Sequence, residues 1–462
     1  MKIILSHAYF LEEDPKELKI MKPYPPLGLL YISAYLEQFG IEHEVYDSTF
    51  SNKDKWMQFI VDQRPDVIAL YTNLMTKVRL IELMSELRKM NGLRQTKIVL
   101  GGPDVTYNWE DYLKHGADFL VLGEGEETFK ELIEQLNGEE QYEDVDGLAF
   151  TNRQGNAIKN QARTKIKKVD ELPLPNRKRI DLTHYLQAWK DNHSKSTLNI
   201  STQRGCPYTC KWCSTAVYGQ SYRRRNPKLV VDEIEQLIQE YAVDALWFVD
   251  DVFTVSHKWL KVFSDEMQIR NIRLPFECIT RAERMNEEVI HQLKKAGCFR
   301  IWIGAESGSQ RIIDLMDRQV NIDAVSEMMK LTKKHGIETG TFIMVGYPTE
   351  TIEDIDLTIN YLKEANPDLF TITVAYPIKG TGLYEQIKSK ITDQQNWATS
   401  TDRQIEFERT YPRPFYDIAV RRIVNEVNYH KQKTQGKSWS KKAMIFKLKS
   451  EVSNFQMKRL LG

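Results

Sequence analysis

The sequence predicts an α/β protein in two parts, a doubly wound parallel sheet followed by a partial (β/α)6 barrel of the TIM type. Three observations carry this reading. Residues 1–140 alternate short apolar runs with helical patterns, as a parallel sheet with crossover helices requires. Residues 141–194 are polar and loop-rich, with LPLPNR near the middle, and read as a linker. From residue 195 to about 380 the alternation resumes through six strand–helix units, too many for a small open sheet and short of a closed barrel of eight.

In the first part KIIL opens a strand. PPLGLLYISAYLEQFG follows with apolar residues at helical spacing and a glycine at the end, where a helix C-cap favours it. EHEVYD, DVIALYT, TKIVLGG and ADFLVLG supply four more strands, and LIELMSELRKM and TFKELIEQL fit amphipathic helices. In the second part the strands are LNISTQ, ALWFVDD, FECITRA, RIWIGAES, GTFIMVGYP and LFTITVAYP. LVVDEIEQLIQEY, EEVIHQLKKAG, AVSEMMKLTKKHG and DIDLTINYLKEA are the helices between them. Residues 381–462 lose the alternation and read as a small, mainly helical C-terminal region with a basic tail.

Composition narrows the function. The chain has 462 residues, 41% hydrophobic and 28% charged, with a formal net charge of +0, so as a whole it is no nucleic-acid binder. No stretch approaches about 18 consecutive apolar residues. The N-terminal apolar run is about four residues long, too short for a signal segment. A cytoplasmic protein is expected. The five cysteines are Cys206, Cys210, Cys213, Cys278 and Cys298, an odd and small number that argues against a disulfide framework. Three of them lie within eight residues, which points to metal.

Those three form C-x3-C-x2-C directly after the strand LNISTQ. Three thiolates on one short loop can bind three irons of a cubane cluster and leave the fourth iron open for chemistry. A closed zinc site would want a fourth ligand, and none lies close in sequence. Zinc or three unrelated buried cysteines remain the alternatives. Cys278 and Cys298 are far apart and lack partners for a second cluster.

The motif, with Trp212 before its last cysteine, resembles the signature of radical S-adenosylmethionine enzymes. The resemblance runs from about 195 to 380. It implies a 4Fe-4S cluster on Cys206, Cys210 and Cys213. It also implies that the open iron chelates S-adenosylmethionine and that an electron from the cluster releases a 5′-deoxyadenosyl radical. Functional groups in such a barrel sit at the carboxyl ends of strands. By resemblance Asp250 and Asp251 meet the methionine amino group, Arg281 its carboxylate, and Glu306 and Ser307 the ribose. Trp212 is the aromatic of the motif.

A doubly wound sheet also binds ligands at its carboxyl edge. That edge carries Thr72 and Asn73, then Gly101 and Gly102, then Gly123, Glu124 and Gly125. No dinucleotide fingerprint follows the first strand. The sheet, LGGP, GEGEETF and the cysteine motif together are similar to cobalamin-dependent radical S-adenosylmethionine enzymes. This implies a cobalamin cradle over those residues, where glycines let backbone approach a bulky cofactor. The Asp-x-His-x-x-Gly pattern that puts a histidine on cobalt is absent around His7, so no histidine ligand is expected.

Radical C-methylation of a small molecule, lipid or peptide is the leading function. It would use S-adenosylmethionine as methyl donor and as radical source, with an electron donor such as flavodoxin or ferredoxin. The resemblance also allows oxidative ring formation on a tetrapyrrole-like substrate. A non-enzymatic cobalamin sensor would not need the cluster motif. Methylthiolation is set aside, since no cysteine precedes Cys206. From Lys431 to Arg459 the tail holds nine Lys or Arg residues and one acid, Glu451. Met444, Phe446, Leu448, Val452, Phe455, Met457 and Leu460 fall partly on one helix face. Peripheral membrane contact and a helix packed on the barrel with a solvated basic face are the two readings of this tail.

Overall fold

The computed structural model describes residues 1–393 and 395–460. The chain forms two compact units. One holds Met1–Pro207, Ser214–Trp247 and Gln395–Gln404, and the other holds Tyr208–Cys213, Phe248–Gln394 and Ile405–Gly462.

The first unit opens with β1 (Ile3–His7), α1 (Pro15–Ile20), α2 (Leu27–Gln38), β2 (Glu44–Tyr46), α3 (Lys53–Gln63) and β3 (Val67–Tyr71). It continues with α4 (Lys77–Lys89), β4 (Lys97–Gly101), α5 (Val105–Lys114), β5 (Phe119–Val121) and α6 (Glu126–Asn137). Its strand order is β2-β1-β3-β4-β5, all parallel. The order reverses beside β1, which sends crossover helices to both faces and leaves a crevice at the reversal. Both faces are apolar as a result. Ile4, Ile68, Leu70, Ile98 and Leu100 pack with Trp56, Leu80 and Leu83 on one side. Ile3, Leu5, Val67 and Val99 pack with Leu29, Phe129 and Leu132 on the other. The alternation within each strand is the period of two that puts successive side chains on opposite faces.

The segment 141–194, read above as a linker, carries structure of its own. β6 (Leu148–Thr151) and β7 (Ala157–Lys159) extend the sheet antiparallel beyond β5, and α7 (Leu182–His193) follows. β6 buries Leu148, Ala149 and Phe150, a three-residue apolar run too short to stand out beside its polar surroundings.

A second sheet follows with β8 (Thr197–Ile200), the short β9 (Gln203–Arg204) and β10 (Arg223–Arg224), which pair only with each other, and then α8 (Pro227–Glu240). β11 (Ala245–Phe248), α9 (His257–Ile269), β12 (Phe276–Thr280), α10 (Glu287–Ala296) and β13 (Cys298–Glu306) come next. α11 (Gln310–Leu315), α12 (Ile322–Lys334), β14 (Glu338–Val345), α13 (Ile352–Ala365) and β15 (Leu369–Val374) complete it. Its order, β8-β11-β12-β13-β14-β15, follows the chain without reversal. The ladders from β12 to β15 are parallel. A chain-ordered parallel sheet places every crossover on one face, and this is the six-strand partial barrel expected. The C-terminal region holds α14 (Gly382–Ile387), a small antiparallel pair β16 (Ile391–Asp393) and β17 (Glu406–Phe407), α15 (Arg413–Thr434) and α16 (Lys441–Arg459).

The loop after β14 contains a buried acid. Glu350 is fully buried, and its Oε2 accepts a hydrogen bond from the Gly346 N–H at 2.5 Å. Burial raises its carboxyl to about 8, against the partial relief of that N–H. The unfolded chain ionises this group first as pH rises. Its contribution to stability is therefore lost from the ordinary carboxyl range up through about 8. Glu350→Gln should flatten the fall of the melting temperature between pH 6 and 8.5, removing up to about 1.4 kcal/mol per pH unit. Identical slopes in the two proteins would contradict this assignment.

Candidate functional site: two cofactor cradles

The cysteine loop is built first by its stems. Gly205 has φ +82°, and a Cβ there would meet the Ser221 backbone oxygen at 2.6 Å, so only glycine lets the chain pass into Cys206. Cys206 bridges to Gln220 across the loop. Arg204 anchors this stem in the first unit. Its Nη1 meets Glu124 Oε1 at 2.8 Å and its Nη2 meets Glu126 Oε1 at 2.5 Å. Arg223, opposite Arg204 in the β9–β10 pair, adds Nη1 to Glu124 Oε2 at 2.6 Å. The Ile166 N–H donates to the same oxygen at 3.0 Å. The Arg204 guanidinium also lies 5.5 Å from the Tyr31 ring and 5.4 Å from Tyr218. Despite burial, its charged form is favoured above the ordinary arginine value by Glu126 and Glu124.

Glu124 and Glu126 follow β5, at the carboxyl edge of the first sheet. The residues after Cys213 return to the same edge. Thr106 Oγ1 donates to the Ala216 carbonyl at 3.3 Å, and Gly123 faces the Val217 carbonyl. Both stems of the cysteine loop are thus fastened to the edge where a doubly wound sheet holds its ligand.

In the second unit the tip of the loop is held by α11, α14 and the end of β12. The Lys211 N–H donates to the Met316 carbonyl at 3.0 Å, and the Leu383 N–H to the Lys211 carbonyl at 2.7 Å. Thr209 Oγ1 donates to Asp317 at 2.7 Å. Trp212 packs against the apolar cluster of Ile312, Met316, Tyr347 and Leu383. The Cys213 N–H donates to the Cys210 carbonyl at 3.1 Å, closing a tight turn that carries both thiols. Arg281 Nη1 donates to Cys210 Sγ at 3.2 Å, and its guanidinium stacks 3.8 Å from the Tyr208 ring centre. Its other nitrogens reach Glu283 and the Arg318 carbonyl. A fixed positive charge beside a sulfur suits a thiolate ligand. A substrate carboxylate at Arg281 would have to displace one of these partners.

None of the five cysteines is in a disulfide. Among the described residues no three His, Cys, Asp or Glu side chains stand in metal-binding geometry. The donor set itself fits an iron–sulfur cluster: three unbridged thiols on one loop, one of them under a guanidinium. Cys278 and Cys298 are buried, and burial, then Cys298, raises the Cys278 thiol well above its ordinary value. Such thiols are poor ligands.

The strand ends of the barrel carry the remaining candidates. Asp250 and Asp251 follow β11, Arg281 follows β12, and Glu306 and Ser307 end β13. Asp250 is buried, and Asp251 is accessible to solvent, yet desolvation and then the Asp250 charge raise its carboxyl. Glu306 is in a left-handed conformation, φ +68°, costly for a non-glycine residue. Burial raises its carboxyl to about 7, against the opposing charges of Arg318 and Arg281. Asp251 is exposed and Glu306 half-buried, so solvent reaches both side chains. Ser307 is fully buried. Its Oγ lies 3.3 Å from Thr358 Oγ1 and accepts from the Ser309 N–H at 3.1 Å, so its hydroxyl holds α11 to α13.

The first sheet's edge divides likewise. Thr72 is buried, 3.2 Å from the Tyr112 hydroxyl, and Asn73 Oδ1 accepts from the Met75 and Thr76 N–H groups. Gly102 has φ +114°, and a Cβ would meet the Thr72 carbonyl at 2.3 Å, so it is required by the strand packing. Gly125 faces Ile32 and Val121 at 3.1 and 3.3 Å. Glu124 is committed to its arginines. Gly101 is different: its backbone needs no glycine, and the nearest atom to an added Cβ is 3.9 Å away. Gly101 leaves bare backbone at the edge, which fits a bulky cofactor, while Gly123 lies against the Val217 carbonyl. His7 has both ring nitrogens engaged, Nε2 with Asp47 at 2.9 Å and Nδ1 with Ser48 at 2.9 Å. Asp47 is held at about 2 despite burial, by His7, Tyr185 and the Thr49 N–H. That network ties the end of β1 to the segment after β2.

Sequence reasoning missed Arg204, Arg223, Arg318 and Tyr208. Tyr208, an aromatic inside the cysteine motif, was visible in principle. The arginines are marked by no spacing, since their partners lie far away in the chain.

Residues 200–362 match the radical SAM superfamily, which defines the barrel as a radical S-adenosylmethionine domain. Residues 18–133 match the B12 binding domain. The chain thus joins a B12 binding domain to a radical S-adenosylmethionine domain, the pairing of the cobalamin-dependent radical S-adenosylmethionine enzymes. It is 28% identical over 390 residues to an uncharacterized methyltransferase of Pyrococcus horikoshii, covering 82% of each chain. It is 25% identical to an anaerobic magnesium-protoporphyrin IX monomethyl ester cyclase of Rubrivivax gelatinosus, over 80% of this chain and 67% of the relative. Its fold is similar to that of the radical S-adenosylmethionine methyltransferase TsrM from Kitasatospora setae. That match has a TM-score of 0.71 at 20% identity and covers 84% of this chain and 78% of the other.

Replacing Cys206, Cys210 or Cys213 by alanine, with anaerobic reconstitution, should abolish cluster iron and 5′-deoxyadenosine formation in each case. Cys278→Ala and Cys298→Ala should retain both. Full iron content in any of the first three would remove that residue from the ligand set.

Proposed function

We propose that the protein methylates an unactivated carbon of a small molecule, lipid or peptide by radical chemistry. The observation that carries the reading is the joining of the two domains in one chain, with a methyltransferase relative matched over 82% of its length. When bound, the cluster supplies the electron that splits the sulfonium, and cobalamin supplies a methyl group that a carbon radical can take. A reduced flavodoxin or ferredoxin is the fitting source of that electron.

The chain's own residues bind and orient. Cys206, Cys210 and Cys213 hold the irons, and Arg281 holds its charge against Cys210. Asp250 and Asp251 offer carboxyl oxygens to an ammonium group at the end of β11. Glu306, near neutrality at about 7, can give or accept a hydrogen bond to a ribose hydroxyl without burying a full charge. Trp212 fixes the loop through its packing. Gly101 presents backbone to the corrin edge or nucleotide tail. The barrel walls keep water and stray hydrogen donors from the radical.

Oxidative ring formation is a second reading, favoured by the cyclase relative at 25% identity. Product analysis separates the two. The doubly loaded protein, given a reductant and S-adenosylmethionine labelled in its methyl group, should release both 5′-deoxyadenosine and S-adenosylhomocysteine. The second product should reach about one equivalent even without substrate, because methyl loss from the donor would need only the cobalamin reduced by the added reductant, and no substrate. Formation of 5′-deoxyadenosine with no S-adenosylhomocysteine would overturn methylation in favour of ring formation.

A further inference from the structure

α15 and α16 form a helical hairpin. The inner face of α16 is Ala443, Ser450, Ser453 and Met457, small residues that let the helices approach, with Ser450 Oγ donating to Glu426 at 2.6 Å. Met457 and the half-buried Phe446 therefore belong to this contact and not to the face on which they were expected. At about 3.6 residues per turn, the arc opposite the buried face holds Met444, Ile445, Leu448, Val452 and Phe455. All five are exposed, Leu448 at 62% and Phe455 at 68%. They form a continuous stripe roughly 16 Å long at 1.5 Å per residue. Trp439, just before the helix, is 89% exposed.

The charges are arranged about this stripe. Exposed Lys447 and Lys458 flank it on one side, and exposed Lys442 and Lys449 on the other. Glu451 is the one acid from Lys431 to Arg459. A second copy of the same face would bring lysine rows together, so self-association is disfavoured by its own charge. An apolar stripe between two lysine rows fits a surface that is apolar below and anionic above. The aliphatic stems then lie along the apolar layer while the ammonium groups reach the headgroups.

We propose that the outer face of α16 docks the protein on an anionic lipid surface. The inner face keeps the helix on the fold, so docking requires no unfolding. Among the described residues no helix is long and apolar enough to cross a membrane, and the contact is peripheral. The proposal stands on this face alone and holds whether or not the substrate is a lipid.

The test is sedimentation of the full chain with phosphatidylcholine vesicles, neutral or containing about one third phosphatidylglycerol. The expected result is binding to the anionic vesicles only, weakening as salt rises. Leu448→Gln/Phe455→Gln should weaken it about tenfold or more, and Lys442→Gln/Lys447→Gln/Lys449→Gln/Lys458→Gln should do the same. Both variants should melt with the parent, since the changed side chains are exposed. Equal recovery of parent and variants, or binding to neither vesicle, would overturn the proposal. So would a dimer seen by light scattering that the Leu448→Gln/Phe455→Gln change dissolves while no vesicle binding occurs.

Discussion

The cysteine loop depends on a buried cluster of four charges. Arg204 and Arg223, on the two stems, meet Glu124 and Glu126 at the carboxyl edge of the first sheet. Burying four charges is not a cheap source of stability, because desolvation offsets most of the attraction. Removing one partner is another matter and costs about 3–5 kcal/mol by stranding the rest. The cluster is best understood as a positioning device. It permits one register between the stems and the sheet edge and penalises every other. Arg204 also reaches two tyrosine rings, so its plane as well as its place is set.

This constraint acts on the stems of the loop alone. The segment before Cys206 and the segment after Cys213 are fastened to the edge of the first sheet, while the residues between them are held by α11, α14 and Arg281. Glu306 adds a second tuned element. It combines a left-handed backbone with a carboxyl that burial raises to about 7.

Much of this was legible in the sequence because the signals are local. The first five strands of the first sheet and the six of the barrel are short apolar runs, and they stand where the alternation put them. C-x3-C-x2-C is a spacing, and a spacing can be read without a fold. What escaped reading is long-range or short-lived in the chain. Arg204 pairs with Glu124 and Glu126 across 80 and 78 residues, and no periodicity announces such a partner. β6 has three buried residues between polar neighbours. Glu124 stood among the residues of the expected cobalamin cradle, and its carboxylate is taken by two arginines. Ser307 stood at a strand end as a binding group would, and its hydroxyl is tied to Thr358 and Ser309. The tail was amphipathic in composition, but which of its apolar residues face α15 is settled by packing. Leu461 and Gly462, the last of that tail, lie outside the described residues.

The central claim is that the arginine–glutamate cluster fastens both stems of the cysteine loop to the sheet edge. Hydrogen exchange on the full protein, compared between the parent and Arg204→Met, tests it most directly. The account predicts faster exchange confined to residues 203–206, 216–224 and 123–126, with the central strands β1, β3 and β4 unchanged. Unchanged exchange in both stems would contradict it, because the loop would then be held by something other than these charges.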